Sequence, residues 1–451
     1  MSCMEPASST ESWTQASVAP RSTPMWRDRA RAPARARQVL GASELLFTTL
    51  HRFTPTNTAR VIALEGRLGP ETLRAALATL QRRHPLLAVQ VEAGPEPAFA
   101  LAESAPIALH VVAREDDDHF ARVLEQRLNT HVAHRPGPLL EVTYLHADGD
   151  ARAELVIVCD HVICDGVGLN TLAGELLALC AGEPPAPPRP ARPTLEQLLP
   201  RFSAFRRFAG FARTLARSLG MLVLRRLYEQ RRAGRTTRFA STALSADETA
   251  RLAARARAEG TTVTGALMAA TLCAVAETRV TPPRLALSVP VNLRPHLAEH
   301  ALEPQDLGNL TNVVYLEARR GSASWARARQ LKEALTRAAR RDRLLAGLAL
   351  VYRTGRAFVR AQKPALAHVL VSNSGIVPLR ASYGAFRAVA FYSGTSATML
   401  SADFGFFCNT LGGSLRLNLV FLEEVVTPAE ARAVLERVRA LLSSQAEQPS
   451  S

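Results

Sequence analysis

The stretch ELVIVCDHVICDG, residues 154–166, puts a histidine and two carboxylates at the end of an apolar strand pattern. An unperturbed histidine titrates near pH ~6.5, so His161 has the pKa of a general base at neutral pH. Such a base can take a proton from an alcohol or an amine while that group attacks an acyl carbonyl. The chain has no GxSxG, P-loop or HExxH motif, and no nucleophilic Ser or Cys is evident near the histidine. Direct transfer from an activated acyl donor is therefore favoured over a covalent acyl-enzyme.

The residues after the histidine are predicted to hold this turn. A buried carboxylate needs a positive partner, and Arg294, at a strand end in the other half of the chain, is the candidate partner of Asp165. Gly166 permits a close turn into a helix whose first backbone N–H groups could stabilise an oxyanion. The pattern HxxxDG fixes only three residues in six, so a polar strand end with a satisfied histidine is about an equal alternative on these residues alone. Metal-dependent hydrolysis through His161, Asp165 and Asp160 is disfavoured and no metal is expected, because the spacing suits a turn.

Strand and helix patterns divide the chain into four predicted segments. Residues 1–38, rich in Ser, Thr, Pro, Ala and Arg, are expected to form a disordered arm. Residues 39–183 and 239–451 each mix strands and helices, which indicates two α/β (α+β) lobes. Residues 184–238 contain the proline-rich crossing PPAPPRPARP and a basic helix. The stretch LGGS at 411–414 leads into a strand, so we predict a hairpin turn rather than a carrier-protein attachment site.

The basic helix allows two interpretations. Residues 201–228 contain seven arginines and no acid, and Phe202, Phe205, Phe208 and Phe211 recur there at helical spacing. One interpretation is an amphipathic helix that lies on a membrane or a lipophilic substrate. The other is a bridging helix whose apolar face packs on its own domain. The second is favoured by about two to one, because most amphipathic helices face a core.

Composition excludes several classes of protein. With 451 residues the chain is too long for one ordinary core. The formal net charge of +15 reflects an arginine bias, and no nucleic-acid-binding motif accompanies it, so no nucleic-acid partner is expected. The six cysteines show no CxxC pair or metal spacing. No apolar stretch reaches the ~20 residues that span a bilayer, so a soluble, cytoplasmic monomer is expected, with peripheral membrane contact as the less favoured alternative.

Several motifs in a fixed order resemble the chloramphenicol acetyltransferase-like acyltransferases, which include condensation domains and plant alcohol acyltransferases. The resemblance covers nearly all of residues 40–445. It is closest in character to the free-standing O-acyltransferases that decorate lipids and polyketides. The motifs are SELLF at 43–47, RRHPLL at 82–87, GPLLEV at 137–142, HVICDG at 161–166, PVNLRP at 290–295, GNLTN at 308–312, VSNSG at 371–375 and DFGFF at 403–407.

The resemblance implies two lobes, each a mixed sheet covered by helices, with an active-site tunnel between them. It also implies roles for residues of this chain at the matching positions. These are His161 as the general base; Asp165, Gly166 and Arg294 as structural support; Asn373 and Ser372 as candidate oxyanion or acceptor contacts; and Asp403 and Gly405 as structural residues where the chain crosses between lobes.

The expected reaction moves an acyl group from a coenzyme A or carrier-protein thioester to a hydroxyl of a secondary metabolite or lipid. The thioester is a co-substrate, and no bound cofactor is expected. Two alternatives stay open: a free-standing condensation enzyme that forms an amide on an amine acceptor, and a catalytically silent relative that recruits a partner to a carrier protein. Asp160 stands where many condensation domains have a first histidine, which mildly favours the silent alternative. The DFGFF motif lacks the tryptophan and second glycine of the plant enzymes, which weakens that branch specifically.

Overall fold

The computed structural model describes residues 37–101, 105–147, 149–226, 236–279, 281–300, 302–360, 367–398 and 402–447. The predicted disordered arm, residues 1–38, lies outside these ranges except for its last two residues. Arg37 and Gln38 begin a strand, so regular structure starts inside the predicted arm. Asp148, in the turn of the predicted hairpin, also lies outside the described residues.

Strands and helices alternate along the described residues. The strands are β1 (Arg37–Val39), β2 (Asn57–Gly66), β3 (Val89–Glu92), β4 (Ala98–Leu101), β5 (Ala108–Ala113), β6 (Leu140–His146), β7 (Arg152–Asp160), β8 (Thr237–Leu244), β9 (Arg284–Asn292), β10 (Thr311–Arg319), β11 (Val369–Ile376), β12 (Phe386–Thr395), β13 (Phe404–Leu411) and β14 (Ser414–Leu422). The helices are α1 (Ala42–His51), α2 (Pro70–Arg83), α3 (His119–Leu128), α4 (Gly166–Cys180), α5 (Leu195–Leu198), α6 (Ala204–Arg226), α7 (Ala246–Ala258), α8 (Val263–Thr278), α9 (Trp325–Ala338), α10 (Arg341–Leu345), α11 (Leu348–Arg360) and α12 (Pro428–Glu447).

Two mixed sheets organise the two lobes. The first has the order β12-β2-β7-β6-β5, with β5 and β6 parallel and the other neighbours antiparallel. The second has the order β10-β9-β11-β13-β14-β8, in which β9, β11 and β13 are parallel. A small antiparallel sheet, β1-β4-β3, lies apart from both. The predicted α/β class, with two lobes that each contain a mixed sheet and helices, is confirmed.

The second half of the chain contributes one strand to the first sheet. β12 belongs to the sequence of the predicted C-terminal lobe, residues 239–451, yet it pairs antiparallel with β2 along the edge of the first sheet. The chain then returns to the second sheet as β13. A boundary at residue 238 therefore does not separate the two sheets, and residues 36–451 form one compact unit.

Local sequence accounts for the elements that carry the candidate site. Residues from Ala153 to Asp160 in β7 are buried at every position, as expected for a strand covered on both faces. β7 pairs with β6 as the predicted hairpin. The stretch LGGS is the turn between β13 and β14, where Gly412 and Gly413 have φ of 56° and 81°, the left-handed conformation of a two-residue hairpin loop.

No single described helix is long and apolar enough to span a bilayer; α7 and α8 reach that length only as a pair bent by 101°.

Candidate active site

His161 directly follows β7, a strand inside the first sheet between β2 and β6. Its backbone N–H donates to the carbonyl of Thr56, just before β2, at 2.8 Å. Three residues later Cys164 forms a parallel bridge with Gly308, and α4 then begins at Gly166. The turn that carries the histidine is therefore held by the first sheet on one side and by a segment of the other lobe on the other.

The imidazole of His161 lies where segments from both halves of the chain meet. Its centroid is 5.0 Å from the ring centroid of Phe47 on α1, and its Nδ1 is 3.4 Å from Nδ2 of Asn309. Burial lowers the pKa of His161, while the negative charges of Asp165 and Asp160 partly counteract that effect. The ring is therefore neutral at pH 7, which is the state that a general base requires.

Asp165 joins this turn to the other lobe. Its Oδ1 caps α4 by accepting the Gly168 backbone N–H at 2.9 Å, and its Oδ2 accepts from Arg294 Nη1 at 2.8 Å and from the Leu310 N–H at 2.9 Å. The Asp165–Arg294 pair expected from the sequence is thus present, with both side chains buried. Burial acts to raise the pKa of Asp165, but the Arg294 guanidinium outweighs it and the pKa is lowered. Asp165 is therefore a buried carboxylate with its charge paired.

Gly166 is explained by a buried arginine on β2. Nη2 of Arg60 donates to the Gly166 carbonyl at 3.0 Å and would lie only 2.8 Å from a Cβ at this position. The guanidinium is further fixed by a 2.5 Å bond to Asn170 Oδ1 on α4. Burial lowers the pKa of Arg60 to about 10. Gly166 therefore lets a buried cation pack against the first turn of α4.

This packing makes Gly166→Ala a sensitive change. We expect it to lower the free energy of unfolding by about 1–3 kcal/mol, as overpacking of a filled interior does, because the methyl group must displace Arg60. Thermal melts would measure the loss. Gly69→Ala is the matched control, since the nearest atom to its Cβ is Thr72 Oγ1 at 3.8 Å. Equal melting temperatures for the two variants would contradict the packing role of Gly166.

Asp160, the departure from the two-histidine pattern, is a fully buried hydrogen-bond acceptor. Its Oδ1 accepts the Val162 N–H at 2.8 Å, and its Oδ2 accepts from the Thr56 hydroxyl at 2.9 Å. The same Oδ2 lies 2.9 Å from His51 Nδ1 and 3.0 Å from His134 Nε2. Burial acts to raise the pKa of Asp160, but the hydrogen bonds from the two histidines lower it well below its usual range. The aspartate thus binds three separate segments to the strand end before His161.

His51, His134 and Asp160 are also close enough together to ligate one ion. The two imidazoles are stacked, with centroids 3.7 Å apart and planes inclined by 12°. An ion between stacked rings would lie far out of both ring planes, whereas imidazole binds metals through a lone pair in the plane of the ring. The observed arrangement therefore fits two hydrogen bonds to a carboxylate better than a metal site.

Replacement of Asp160 by Asn tests whether its charge acts on the base. Because the Asp160 charge raises the pKa of His161, we expect the acid limb of the kcat/KM profile to move to lower pH in Asp160→Asn. Loss of the charged hydrogen bonds should also cost about 1.5–3 kcal/mol of stability. Thr56→Val, which removes a hydrogen bond to Asp160 but no charge, should lower stability and leave the acid limb in place. If the acid limb of the kcat/KM profile stays at the same pH in Asp160→Asn, the charge of Asp160 does not affect the base.

The expected contacts in the second lobe are placed as follows. The Asn373 amide donates to Thr264 Oγ1 at 3.1 Å and accepts from the Gly375 N–H at 3.1 Å, so its bonds lie within the second lobe. Ser372 lies beside it on β11. Asp403 is the last residue before β13, at the end of the connection from β12. This connection is the predicted crossing between the lobes. Gly405 lies inside β13.

The residues around Asp160 and beside the base were not singled out from the sequence as functional. They lie on separate segments of the chain, and no local pattern connects them. Two of them could have been found from the family motifs, because Phe47 is the last residue of SELLF and Asn309 is the second residue of GNLTN. The set comprises Phe47, His51, Thr56, Arg60, His134 and Asn309.

A cavity of about 210 Å³ is lined by residues of β1, β3 and β4 and by the segments 84–86, 189–192 and 306–307. Apolar residues supply much of its wall, among them Leu86, Val89 and Phe99, and Leu307 extends from the cavity to within 3.4 Å of a Cβ built at Gly168. His161 is not one of its lining residues. The cavity therefore lies apart from the base, and Leu307 is the lining residue that connects it to α4.

Solved structures share this fold over nearly the whole chain. The trichothecene 15-O-acetyltransferase TRI3 from Fusarium sporotrichioides has a TM-score of 0.72 at 16% identity, covering 91% of this chain and 95% of that one. The first condensation domain of the CDA synthetase has a TM-score of 0.68 at 15% identity, with 92% and 97% covered. Polyketide synthase associated protein 5 from Mycobacterium tuberculosis has a TM-score of 0.65 at 20% identity, with 91% and 98% covered.

The class of protein follows from the fold and from the order of the motifs. The chain has the fold of the chloramphenicol acetyltransferase-like, condensation-domain acyltransferase superfamily, and the resemblance predicted from the sequence is confirmed. More specifically, residues 233–418 match the family described as phthiocerol/phthiodiolone dimycocerosyl transferase C-terminus. No curated protein matches the chain.

Proposed function

We propose that this chain is an acyltransferase that moves an acyl group from a thioester directly to a hydroxyl, with His161 as the general base. The observation that carries the proposal is the position of the imidazole: it is neutral at pH 7 and lies at the junction of the lobes, 3.4 Å from Asn309. Its turn is tied to both lobes through Thr56 and Asp165. A base held in this way can meet two substrates that approach from different sides.

In the proposed reaction a ring nitrogen of His161 takes the proton of the acceptor hydroxyl as that oxygen attacks the thioester carbon. The tetrahedral oxyanion then collapses, the carbon–sulfur bond breaks, and the imidazolium returns its proton to the thiolate. The products are an ester and a free thiol, so no redox partner or bound cofactor is needed. The acyl donor is a co-substrate, either acyl-coenzyme A or an acyl carrier protein.

The comparisons support an ester product over an amide. One similar structure is an O-acetyltransferase, and another is associated with a polyketide synthase. The family matched by residues 233–418 is also described as a transferase. The amide-forming alternative has its own support, because the fold is equally that of the CDA synthetase condensation domain.

The test is thiol release from a panel of acyl-coenzyme A donors with alcohol and amine acceptors, followed by mass spectrometry of products and of the intact protein. We expect thiol release that needs His161, an ester product, and no acyl adduct on the chain. An amide product would establish the condensation alternative. Thiol release equal in His161→Ala would refute the proposed base, and a stable adduct would refute direct transfer.

If no acyl-coenzyme A donor gives thiol release, the same assay is repeated with acyl carrier proteins as donors. Transfer from a carrier protein would keep the proposed chemistry and identify the donor class. Binding of a carrier protein without any transfer would instead support the catalytically silent, recruiting alternative.

A further inference from the structure

The helix α6 has an apolar stripe that the rest of the chain leaves exposed. Its apolar positions recur at intervals of three and four residues, which places them on one face. The exposed fractions are 79% for Phe205, 65% for Phe208, 37% for Leu215 and 52% for Leu219. The first and last of these residues are 14 positions apart, or about 21 Å at the rise of an α-helix. Large apolar side chains in such a row mark an interaction surface more often than chance exposure.

A different face of α6 makes the contact with the protein. Gly210 packs so closely against the Ala346 carbonyl that a Cβ on Gly210 would not fit. A Cβ on Gly347 would likewise clash with the backbone of Phe211. Phe202, just before the helix, packs against the core of the second lobe. The interpretation favoured from the sequence, in which the apolar face packs on its own domain, therefore accounts for Phe202 but is wrong for Phe205 and Phe208.

The surface around the stripe is strongly positive. α6 contains six arginines and the neighbouring α11 three, and neither helix contains an aspartate or glutamate. Arg206, Arg207, Arg213, Arg353 and Arg360 are exposed, and none has a carboxylate partner in the described part of the chain. Burial lowers the pKa of Arg356, and the neighbouring charges of Arg360 and Arg52 lower it further.

We infer that the α6–α11 face docks on an anionic lipid bilayer, with Phe205 and Phe208 inserted among the acyl chains and the arginines against the lipid phosphates. Apolar side chains on one face of a basic helix are the combination that binds at membrane interfaces, and each basic residue near an anionic surface strengthens the attraction. The inference does not depend on the proposed reaction.

A second copy of the chain is the less favourable occupant on grounds of charge. A two-fold contact brings the same patch against itself, so an arginine-rich helix without acids would meet another of the same kind. Such a contact would add like charges to a chain whose net charge is already +15. An anionic bilayer buries the same apolar stripe and also neutralises those charges.

The face lies two helices away from the candidate base. α6 packs on α11, and Gly355 of α11 lies against Leu46 of α1. The residue after Leu46 is Phe47, whose ring contacts the His161 imidazole. Docking through α6 and α11 would therefore bring the site close to the membrane surface, where a lipophilic acceptor is concentrated.

Vesicle sedimentation with the full chain tests the inference. We expect binding to phosphatidylcholine vesicles that contain phosphatidylglycerol, no binding to phosphatidylcholine alone, and release by high salt. Phe205→Ser/Phe208→Ser and Arg206→Glu/Arg213→Glu should each lower the bound fraction at low lipid by about tenfold or more. Thermal melts of the same variants verify that they fold.

Two matched controls change similar residues elsewhere. Ile376→Ser removes a side chain that is 83% exposed on β11, and Arg432→Glu reverses an exposed charge on α12. Both should bind vesicles as the parent does. Vesicle binding that these controls weaken equally, or no vesicle binding at all, overturns the inference. Two other results would also overturn the inference. One is a dimer in sedimentation velocity that Phe205→Ser/Phe208→Ser abolishes, which would assign the stripe to a second copy of the chain. The other is capture of a carrier protein without vesicle binding, abolished by the same variant, which would assign the stripe to the carrier protein.

Discussion

The His161→Ala variant is expected to fold normally and to transfer acyl groups about 10²–10⁴ times more slowly, which is the usual contribution of a positioned general base. Truncation removes a half-buried side chain that lies against the Phe47 ring, is 3.4 Å from Asn309 and is hydrogen-bonded to the Cys164 backbone. The backbone bond from His161 to Thr56 remains, so the structural cost is small. The rate loss comes from the step in which the hydroxyl loses its proton. Initial rates of thiol release and thermal melts measure the two effects separately.

The pH dependence of the parent enzyme supplies an independent check. The base must be neutral, so activity falls as the pH drops through the pKa of His161. Because burial lowers that pKa below the ordinary value of 6.5, the acid limb of kcat/KM should lie below pH 6.5. An acid limb above pH 6.5 would contradict the lowered pKa of His161.

A histidine elsewhere on the first sheet controls for the chemistry of the substitution. His110 is exposed on β5, and His110→Ala should keep both its melting temperature and its rate. A His161→Ala variant as active as His110→Ala would remove His161 from the mechanism. A variant that is inactive because it melts far below the parent would show instead that His161 is structural.

Much of the arrangement around His161 could be predicted because it is encoded locally. The apolar run before Asp160 predicts a buried strand, and the glycine after Asp165 predicts the turn into a helix; β7 and α4 have these positions. The partner of Asp165 could also be predicted, because a buried carboxylate requires a cation and Arg294 closely follows a strand, β9, of the other lobe. The order of the motifs along the chain identified the superfamily.

The rest depends on which segments the fold brings together. No spacing along the chain connects Thr56, His51 and His134 to Asp160, which they contact across the end of β7. The sequence of β12 resembles that of the other strands in the second half of the chain. Its pairing with β2 in the first sheet is a long-range contact that no local pattern predicts. The exposure of Phe208 could not be predicted either. Periodicity shows that a helix is amphipathic, but it does not show what covers the apolar face.

The Asp165→Asn variant is expected to lose about 3–5 kcal/mol of stability, because it leaves the Arg294 guanidinium buried without a counter-charge. An asparagine Oδ1 can still cap α4 through the Gly168 N–H, so the substitution affects only the contacts of Oδ2, which are those to Arg294 and to the Leu310 N–H. The turn before α4 should also move, and acyl transfer should fall with it. Thermal and denaturant melts give the stability, and thiol release gives the activity.

Adding a second substitution separates the charge from the packing. In Asp165→Asn/Arg294→Met both charges of the pair are removed, so the double variant should be more stable than the sum of the single losses implies. Arg387→Ala is the control, because its partner Glu65 and the arginine itself are exposed. Exposed pairs contribute about 0–1 kcal/mol, so Arg387→Ala should melt like the parent.

The same pair predicts how the stability difference depends on pH. The folded-state pKa of Asp165 is lowered, with burial opposing and Arg294 outweighing it, so its contribution is fully present above the pKa of an unfolded aspartate, about 3.9. As the pH falls through the folded-state pKa, Asp165 is protonated and that contribution is lost. The parent should therefore approach the stability of Asp165→Asn in acid and exceed it most clearly near pH 7. A difference that stays constant from pH 7 to strong acid would show that the loss in Asp165→Asn comes from packing alone, and that the charge of Asp165 does not hold the two lobes together.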